Sequence, residues 1–153
     1  MISEPEIVES PAQLVAYVHV TVPRAEVMPA MHAGLEELGE VLKAQNVEPT
    51  GPWFTHHIRR PHETFDFRIC FPVDEVVEHT GRVYLGELEA VQVARTVYSG
   101  SYAGLSAAWG EFMAWLEAND YETREDLWER YVVGPDTSAR PEEWRTELNR
   151  PLA

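Results

Sequence analysis

Apolar and polar residues follow strand-like and helix-like periods in separate parts of the chain. Residues 17–22 alternate with a period of two, which predicts a half-buried strand. From Arg24 to Asn46, apolar side chains recur every three or four residues, which predicts an amphipathic helix whose regular part begins near Pro29. A second helix with similar spacing is predicted to begin after Ser101 and to end near Asn119.

The chain also contains an internal repeat. When Leu14 is aligned with Leu88, residues 14–54 align with residues 88–128 without a gap. Large apolar positions stay in phase in this first register. After a longer loop in the second copy, the alignment resumes in a second register, in which Phe65 aligns with Trp144. Each copy then reads as strand, helix, strand and strand. Besides the first strand, the predicted strands are residues 53–58, 64–71, 88–97, 127–133 and 144–148.

This pattern predicts an α+β fold built from two pseudo-symmetric β-α-β-β repeats, about residues 13–73 and 87–152, within a single domain of residues 1–153. Six to eight mostly antiparallel strands are expected to form a saddle that carries two helices on one side. A seam between two such copies is a concave groove lined from both halves, and such grooves are common ligand sites. No residues remain for a second domain, so a DNA-binding domain is not expected.

The charge balance narrows the expected partners. The chain has 153 residues, with 12 Lys and Arg against 26 Asp and Glu, and its net charge is −14. Such a surface repels phosphate backbones and favours cationic small molecules, so nucleic acid is not an expected partner. One cysteine excludes an intrachain disulfide, and the chain lacks a basic, apolar leader or a membrane-length apolar run. A cytoplasmic location is the resulting expectation.

Glu129 is the leading candidate for chemistry. Period two places it on one strand face with Tyr131, and a buried carboxylate persists only if it is hydrogen-bonded, paired or awaiting a cation. The alternative is an exposed face on which Glu129 pairs with an arginine. In the first copy, Trp53 and His57 fall on the matching face, so both halves offer polar and aromatic side chains to the seam.

Other aromatic residues are candidates for the same ligand site, since aromatic ring faces attract organic cations. Tyr102 begins the second helix, Phe67 lies in an aromatic strand, and Trp109 lies on the apolar helix face. Core packing is the alternative for each, and above all for Trp109. His57 and its two nearest histidines do not converge as metal ligands would, so we expect no metal and no cofactor.

Four segments resemble the GyrI-like small-molecule-binding domains, a family related to the effector domains of multidrug-responsive transcription regulators. These segments are residues 66–73 (DFRICFPV), 95–102 (RTVYSGSY), 128–131 (WERY) and 145–152 (RTELNRPL). Their order and spacing resemble the family from about Gln13 to the end of the chain. The resemblance implies tandem repeats whose groove binds bulky, aromatic, often cationic compounds. The glutamate of the Glu-x-Tyr motif falls on Glu129, and the tyrosine of the Gly-x-Tyr motif falls on Tyr102.

Three functions remain open from this resemblance. The first is a stand-alone module that binds hydrophobic aromatic or cationic compounds. The second is a hydrolase of strained cyclopropane rings in genotoxic compounds, because some stand-alone members resemble such hydrolases, with Glu129 and Tyr102 or Tyr131 in acid-base roles. The third is an inhibitor that binds a partner protein.

Overall fold

The structure is a computed structural model, and it describes all 153 residues. The chain forms two compact units. The central unit is Pro11–Ala90, and the terminal unit combines Met1–Ser10 with Val91–Ala153. Each unit holds an antiparallel sheet and one long helix, so the predicted α+β class with two β-α-β-β repeats is confirmed. In chain order the elements are β1 (Glu6–Ser10), β2 (Gln13–Pro23), α1 (Val27–Ala44), β3 (Phe54–His57), β4 (Thr64–Pro72), β5 (Val83–Leu88), β6 (Val91–Ser99), α2 (Leu105–Ala118), β7 (Leu127–Val133) and β8 (Arg145–Pro151).

The two units have the same strand order. In the central unit it is β3-β4-β2-β5, and in the terminal unit it is β7-β8-β6-β1. Strands β1 and β5 are additions that the sequence did not predict. The predicted strand at residues 88–97 is wrong at its start, because Leu88 ends β5 and pairs with β2, whereas β6 begins at Val91. No turn residue separates these two strands, so the apolar pattern reads as one strand.

The first helix starts neither at Arg24 nor at Pro29, because Arg24–Glu26 form a 3-10 turn and α1 begins at Val27. Pro29 lies in the first turn, where a backbone N–H has no acceptor within the helix and proline is tolerated.

The helices differ in length by one turn, since α1 has 18 residues and α2 has 14. This difference changes the register of the repeat. The starts of the first strands, Gln13 and Val91, correspond to each other, and so do the helix starts Val27 and Leu105. The alignment of Leu14 with Leu88 is therefore wrong before the helices.

From the helices onwards, the first register of the repeat is correct, and the ends of the two helices confirm it. Asn46 has φ 57° and Asp120, its equivalent in that register, has φ 58°. At both positions the following backbone N–H reaches back to a helix carbonyl. The Val47 N–H donates to the Leu42 carbonyl at 2.9 Å, and the Tyr121 N–H donates to the Leu116 carbonyl at 3.0 Å. These equivalent bonds are typical of a helix end that is capped by a residue in the left-handed conformation.

Each helix covers its own sheet through a buried apolar face. In the central unit, Leu38 and Leu42 pack with β2 and β4 residues, and Gly34 allows α1 to approach closely, since a Cβ there would lie 2.5 Å from Ile69 Cδ1. In the terminal unit, Phe112 and Leu116 pack in the corresponding core. Neither helix has the length and apolarity that crossing a membrane requires.

Candidate functional site

Strand β7 carries the candidate acid on the face that α2 covers. Leu127 lies in the core of the terminal unit, and Tyr131 is 8% exposed. Side chains alternate along a strand, so Glu129 lies between these two on the same face. Arg130 lies on the opposite face and forms an ion pair with Glu147. The arginine next to Glu129 in the sequence is thus occupied elsewhere.

Two neutral donors hold the Glu129 carboxyl group. The Trp109 indole N–H donates to Oε2 at 2.6 Å, and the Tyr131 hydroxyl donates to Oε1 at 2.7 Å. No lysine, arginine or histidine forms an ion pair with Glu129. The alternative in which an arginine neutralises this carboxylate is therefore wrong.

Burial controls the titration of Glu129. The side chain is half-buried among protein atoms, and this desolvation raises the pKa of the carboxyl group, while the hydrogen bonds from Tyr131 and Trp109 lower it in part. A carboxyl group in this state can exchange a proton closer to neutral pH than an exposed glutamate. When it is ionised, it is a negative charge without a counter-charge.

Tyr102 extends this face with an aromatic ring. It opens the 3-10 turn before α2, two residues after Gly100, whose φ of 136° is accessible to glycine. Its ring lies 5.9 Å from the Tyr131 ring and 4.9 Å from the Trp144 ring. Burial is the largest cause that raises the pKa of the Tyr102 hydroxyl, and Asp136 and Glu129 add to it. Tyr102 and Tyr131 are thus brought together as predicted.

Sequence reasoning missed two residues that adjoin this pair of tyrosines. Trp144 contacts Tyr102, and Thr146 lies directly opposite Tyr131 in the β7–β8 pairing. The Thr146 hydroxyl is buried and has no hydrogen-bond partner. The periodicity of β8 could have indicated Thr146, because it shares a face with Leu148, which lies in the core.

Trp109 is a core residue with one polar contact. It is 8% exposed and its ring lies 5.7 Å from Phe112, so the core alternative describes its packing correctly. Its indole N–H donates to Glu129. Its position therefore suits it to orient the carboxylate.

The remaining predicted site residues, Trp53, His57 and Phe67, belong to the central unit. His57 is buried, which lowers its pKa to about 4, and its ring stacks on Phe67 at 5.1 Å. Its Nε2 lies 3.2 Å from Thr55 Oγ1, and its Nδ1 has no hydrogen-bond partner. Phe67 is fully buried, and Trp53 packs half-buried against the same core. A ligand contact by these three residues stays a prediction.

A surface hollow of about 530 Å³ lies at the C-terminal end of α1. Leu42, Val47 and Phe71 form its apolar part, and Lys43 and Glu48 are its charged residues. It contains none of the predicted site residues.

Solved structures with the same fold belong to proteins of several kinds. The EcmrR–DNA complex in EcmrR-RPo, determined by cryo-EM, matches with a TM-score of 0.86 and 23% identity over 97% of this chain. SAV2435 bound to tetraphenylphosphonium matches with a TM-score of 0.74 and 12% identity, over 99% of this chain and 94% of that chain. A hydrolase from Listeria innocua matches with a TM-score of 0.69 and 13% identity, over 98% of this chain and 92% of that chain.

This chain spans 57% of the length of the EcmrR chain. Because that structure is a DNA complex, the expectation that this chain has no nucleic-acid partner gains no support and stays an expectation. No curated protein matches the sequence. The model of the GyrI-like small molecule binding domain matches residues 3–153, so the chain belongs to this family.

Proposed function

We propose that this protein binds bulky aromatic compounds, often cationic, with Glu129 as the charge partner. The observation that carries the proposal is a half-buried carboxylate that has two neutral hydrogen-bond donors and no cationic partner. Pairing or replacing such a group would stabilise the fold, since an unpaired buried charge is costly. Its presence therefore favours a role in binding. An organic cation can supply the missing charge.

The rings near Glu129 fit the same class of ligand. Tyr131 and Tyr102 lie edge to face beside the carboxylate, and Trp144 adjoins Tyr102. Aromatic faces attract organic cations and also stack on flat rings without strict directional demands. We infer broad specificity from this combination, because one charge and several rings restrict the shape of a ligand only weakly.

Two further facts support the proposal. The net charge of −14 raises the local concentration of cations around the protein. SAV2435, which has the same fold, is bound to tetraphenylphosphonium in its solved structure. We also propose a cytoplasmic location for the protein. On the grounds of the repeat alone, we add Trp53, His57 and Phe67 to the proposed ligand contacts.

The test compares a cation with a neutral compound of the same shape. Pyrenemethylammonium and pyrenemethanol share one ring system, and their binding is followed by pyrene fluorescence anisotropy. In Glu129→Gln the amide oxygen can still accept from Trp109, and the amide nitrogen can donate to Tyr131, so the fold is retained. Loss of a paired buried charge costs about 2–5 kcal/mol, so the affinity for the ammonium compound falls at least about 30-fold.

The affinity for pyrenemethanol stays within about twofold in the same variant. Glu117→Gln is the matched control, because Glu117 is exposed on α2 and its loss changes the net charge equally. If Glu129→Gln weakens both compounds equally, or neither, then Glu129 is not the charge partner of the ligand.

Hydrolysis is the second candidate function. It is favoured by the direct hydrogen bond of Tyr131 to Glu129, since a carboxyl group with a raised pKa and an adjacent phenol can share acid-base work on one substrate. The Listeria innocua neighbour is described as a hydrolase. Incubation with an aromatic compound that carries a strained cyclopropane decides between the two functions. Mass-spectrometric detection of the water adduct, lost in Glu129→Gln, supports hydrolysis, and unchanged compound after binding refutes it for that substrate.

A further inference from the structure

A guanidinium group without a counter-charge lies on the sheet of the central unit, on the face opposite α1. Arg68 follows Phe67 and precedes Ile69 in β4, and both neighbours point into the core, so Arg68 points to the other face. Its guanidinium carbon lies 4.4 Å from the centre of the Tyr17 ring. Its Nε is buried without a hydrogen-bond partner, and Arg68 forms no ion pair.

The acid two residues away on this face of β4 is already compensated. Asp66 lies two residues away in β4 and accepts from His19 at 2.6 Å, from Thr21 at 3.2 Å and from Arg59 at 3.4 Å. The hydrogen bond from His19 is the largest cause that lowers the pKa of Asp66. The strand neighbours directly opposite Arg68 are His19 and His56, neither of which is acidic. Arg68 therefore has no acidic partner among its strand neighbours, although the net charge of the chain is −14.

Aromatic rings continue from Arg68 across the sheet. Tyr17 and Tyr84 are paired across β2 and β5, with ring centres 6.0 Å apart and an interplanar angle of 28°. The His79 ring then stacks on Tyr84 at 4.2 Å and 17°. Tyr84 is 45% exposed, so this aromatic ladder is open to solvent at its middle ring.

The ladder is held in place at both ends. A Cβ on Gly86 would lie 2.8 Å from Tyr17 Cε1, so only a glycine there leaves room for the ring in its position beside Arg68. At the other end, His79 Nε2 lies 2.9 Å from the Gly81 carbonyl oxygen. Glu78, the residue before His79, is fixed too, because the Gln45 side chain both donates to and accepts from its backbone at 2.9 Å.

The geometry points to a second binding site, one for aromatic carboxylates, formed by Arg68 and the Tyr17–Tyr84–His79 ladder. The free edge of the guanidinium donates to the carboxylate, whose planar fork it matches, while the ring of the ligand lies against the exposed Tyr84. The desolvated Nε and the contact with Tyr17 hold the guanidinium in one orientation before the ligand arrives. This site selects the opposite charge from the one selected by Glu129, and it does not depend on the proposed function.

The experiment uses pyrenecarboxylate beside the two pyrene compounds that probe Glu129. Wild-type protein is expected to bind pyrenecarboxylate saturably. In Arg68→Gln this affinity falls about tenfold or more, since hydrogen bonds between charged groups contribute about 1.5–3 kcal/mol. Gly86→Ala weakens pyrenecarboxylate as well, because the new methyl group displaces Tyr17. Pyrenemethylammonium is affected by neither substitution.

Arg60→Gln is the matched control, because Arg60 is exposed and takes no part in the contacts of Asp66. It removes the same charge from the same unit but leaves Arg68 and the ladder intact, so the affinity for pyrenecarboxylate stays within about twofold. Thermal unfolding checks the fold of each variant, and Arg68→Lys replaces Arg68→Gln if the latter unfolds, because lysine keeps the charge and loses the planar fork. Absence of saturable binding to the wild type overturns the inference. Equal losses in Arg68→Gln and Arg60→Gln also overturn it, since a long-range field would then explain the effect.

Discussion

Replacement of Trp109 by phenylalanine separates the polar role of this residue from its packing role. The indole N–H donates to Glu129 at 2.6 Å, and the ring packs 5.7 Å from Phe112. Phenylalanine keeps an aromatic ring in this place and cannot donate. The substitution therefore removes one hydrogen bond to the carboxylate and a small part of the buried volume.

The two losses respond differently to pH. A hydrogen bond to an ionised group contributes about 1.5–3 kcal/mol to the free energy of unfolding. The lost volume costs on the order of 1 kcal/mol at any pH. The hydrogen bond lowers the pKa of Glu129, so its removal raises that pKa further. Above both pKa values, Trp109→Phe is destabilised by both losses. As the pH falls below the ordinary glutamate value of 4.5, Glu129 is protonated in both proteins, and the difference shrinks to the packing loss and the weaker hydrogen bond that a neutral carboxyl group accepts.

Urea denaturation of both proteins from neutral to acidic pH measures this difference. Trp115→Phe is the matched control on the same helix. Trp115 is half-buried and stacks on Tyr121 at 5.6 Å, but it forms no hydrogen bond with a carboxylate. Its stability difference from the wild type is expected to be independent of pH. A constant difference for Trp109→Phe over the same range would refute the role assigned to its N–H group.

Three further outcomes follow from the packing and the titration. Leu42→Ala and Leu116→Ala each lower the free energy of unfolding by about 2–5 kcal/mol in urea, because both side chains are almost fully buried at equivalent helix positions. Gly34→Ala destabilises the protein, since its Cβ would lie 2.5 Å from a β4 side-chain atom, whereas Gly110→Ala, with nothing within 4 Å, stabilises α2 by up to about 1 kcal/mol in the same assay. In calorimetry, the affinity for pyrenemethylammonium rises with pH through the raised pKa of Glu129 and is level above it, because only the ionised carboxylate attracts the cation.

Periodicity predicted the helices and the inner strands because each of them buries one continuous face. It failed where the chain passes between units. Leu88 and Val91 belong to different strands, yet both are apolar and no glycine or proline separates them. The alignment of Leu14 with Leu88 failed for a related reason. Helix α1 has one turn more than α2, which offsets the strands that precede the helices, and a comparison without gaps cannot represent that offset.

Glu129, Tyr131 and Tyr102 of the candidate site were predictable from the sequence, whereas their bonds and the neighbours Trp144 and Thr146 were not. Alternation along β7 placed Glu129 with Tyr131, and the glycine before Tyr102 marked a helix start where a ring can reach them. Alternation alone cannot tell whether a strand face is exposed or covered, so the arginine-paired alternative stayed open. The hydrogen bond from Trp109 decides it, because that bond requires α2 to cover this face of β7. The burial of Thr146 depends on the neighbouring strands in the same way.

The repeat allows the two proposed sites, which differ in charge preference, to share one backbone plan. In the first register Glu129 corresponds to Thr55, so only the terminal unit carries an acid at this position of its helix-covered face. In the second register Arg68 corresponds to Glu147. Glu147 lies on the sheet face opposite α2 and pairs with arginines. Glu129 beneath α2 and Arg68 on the face of the central sheet opposite α1 are thus two partly buried charged groups without an ion pair.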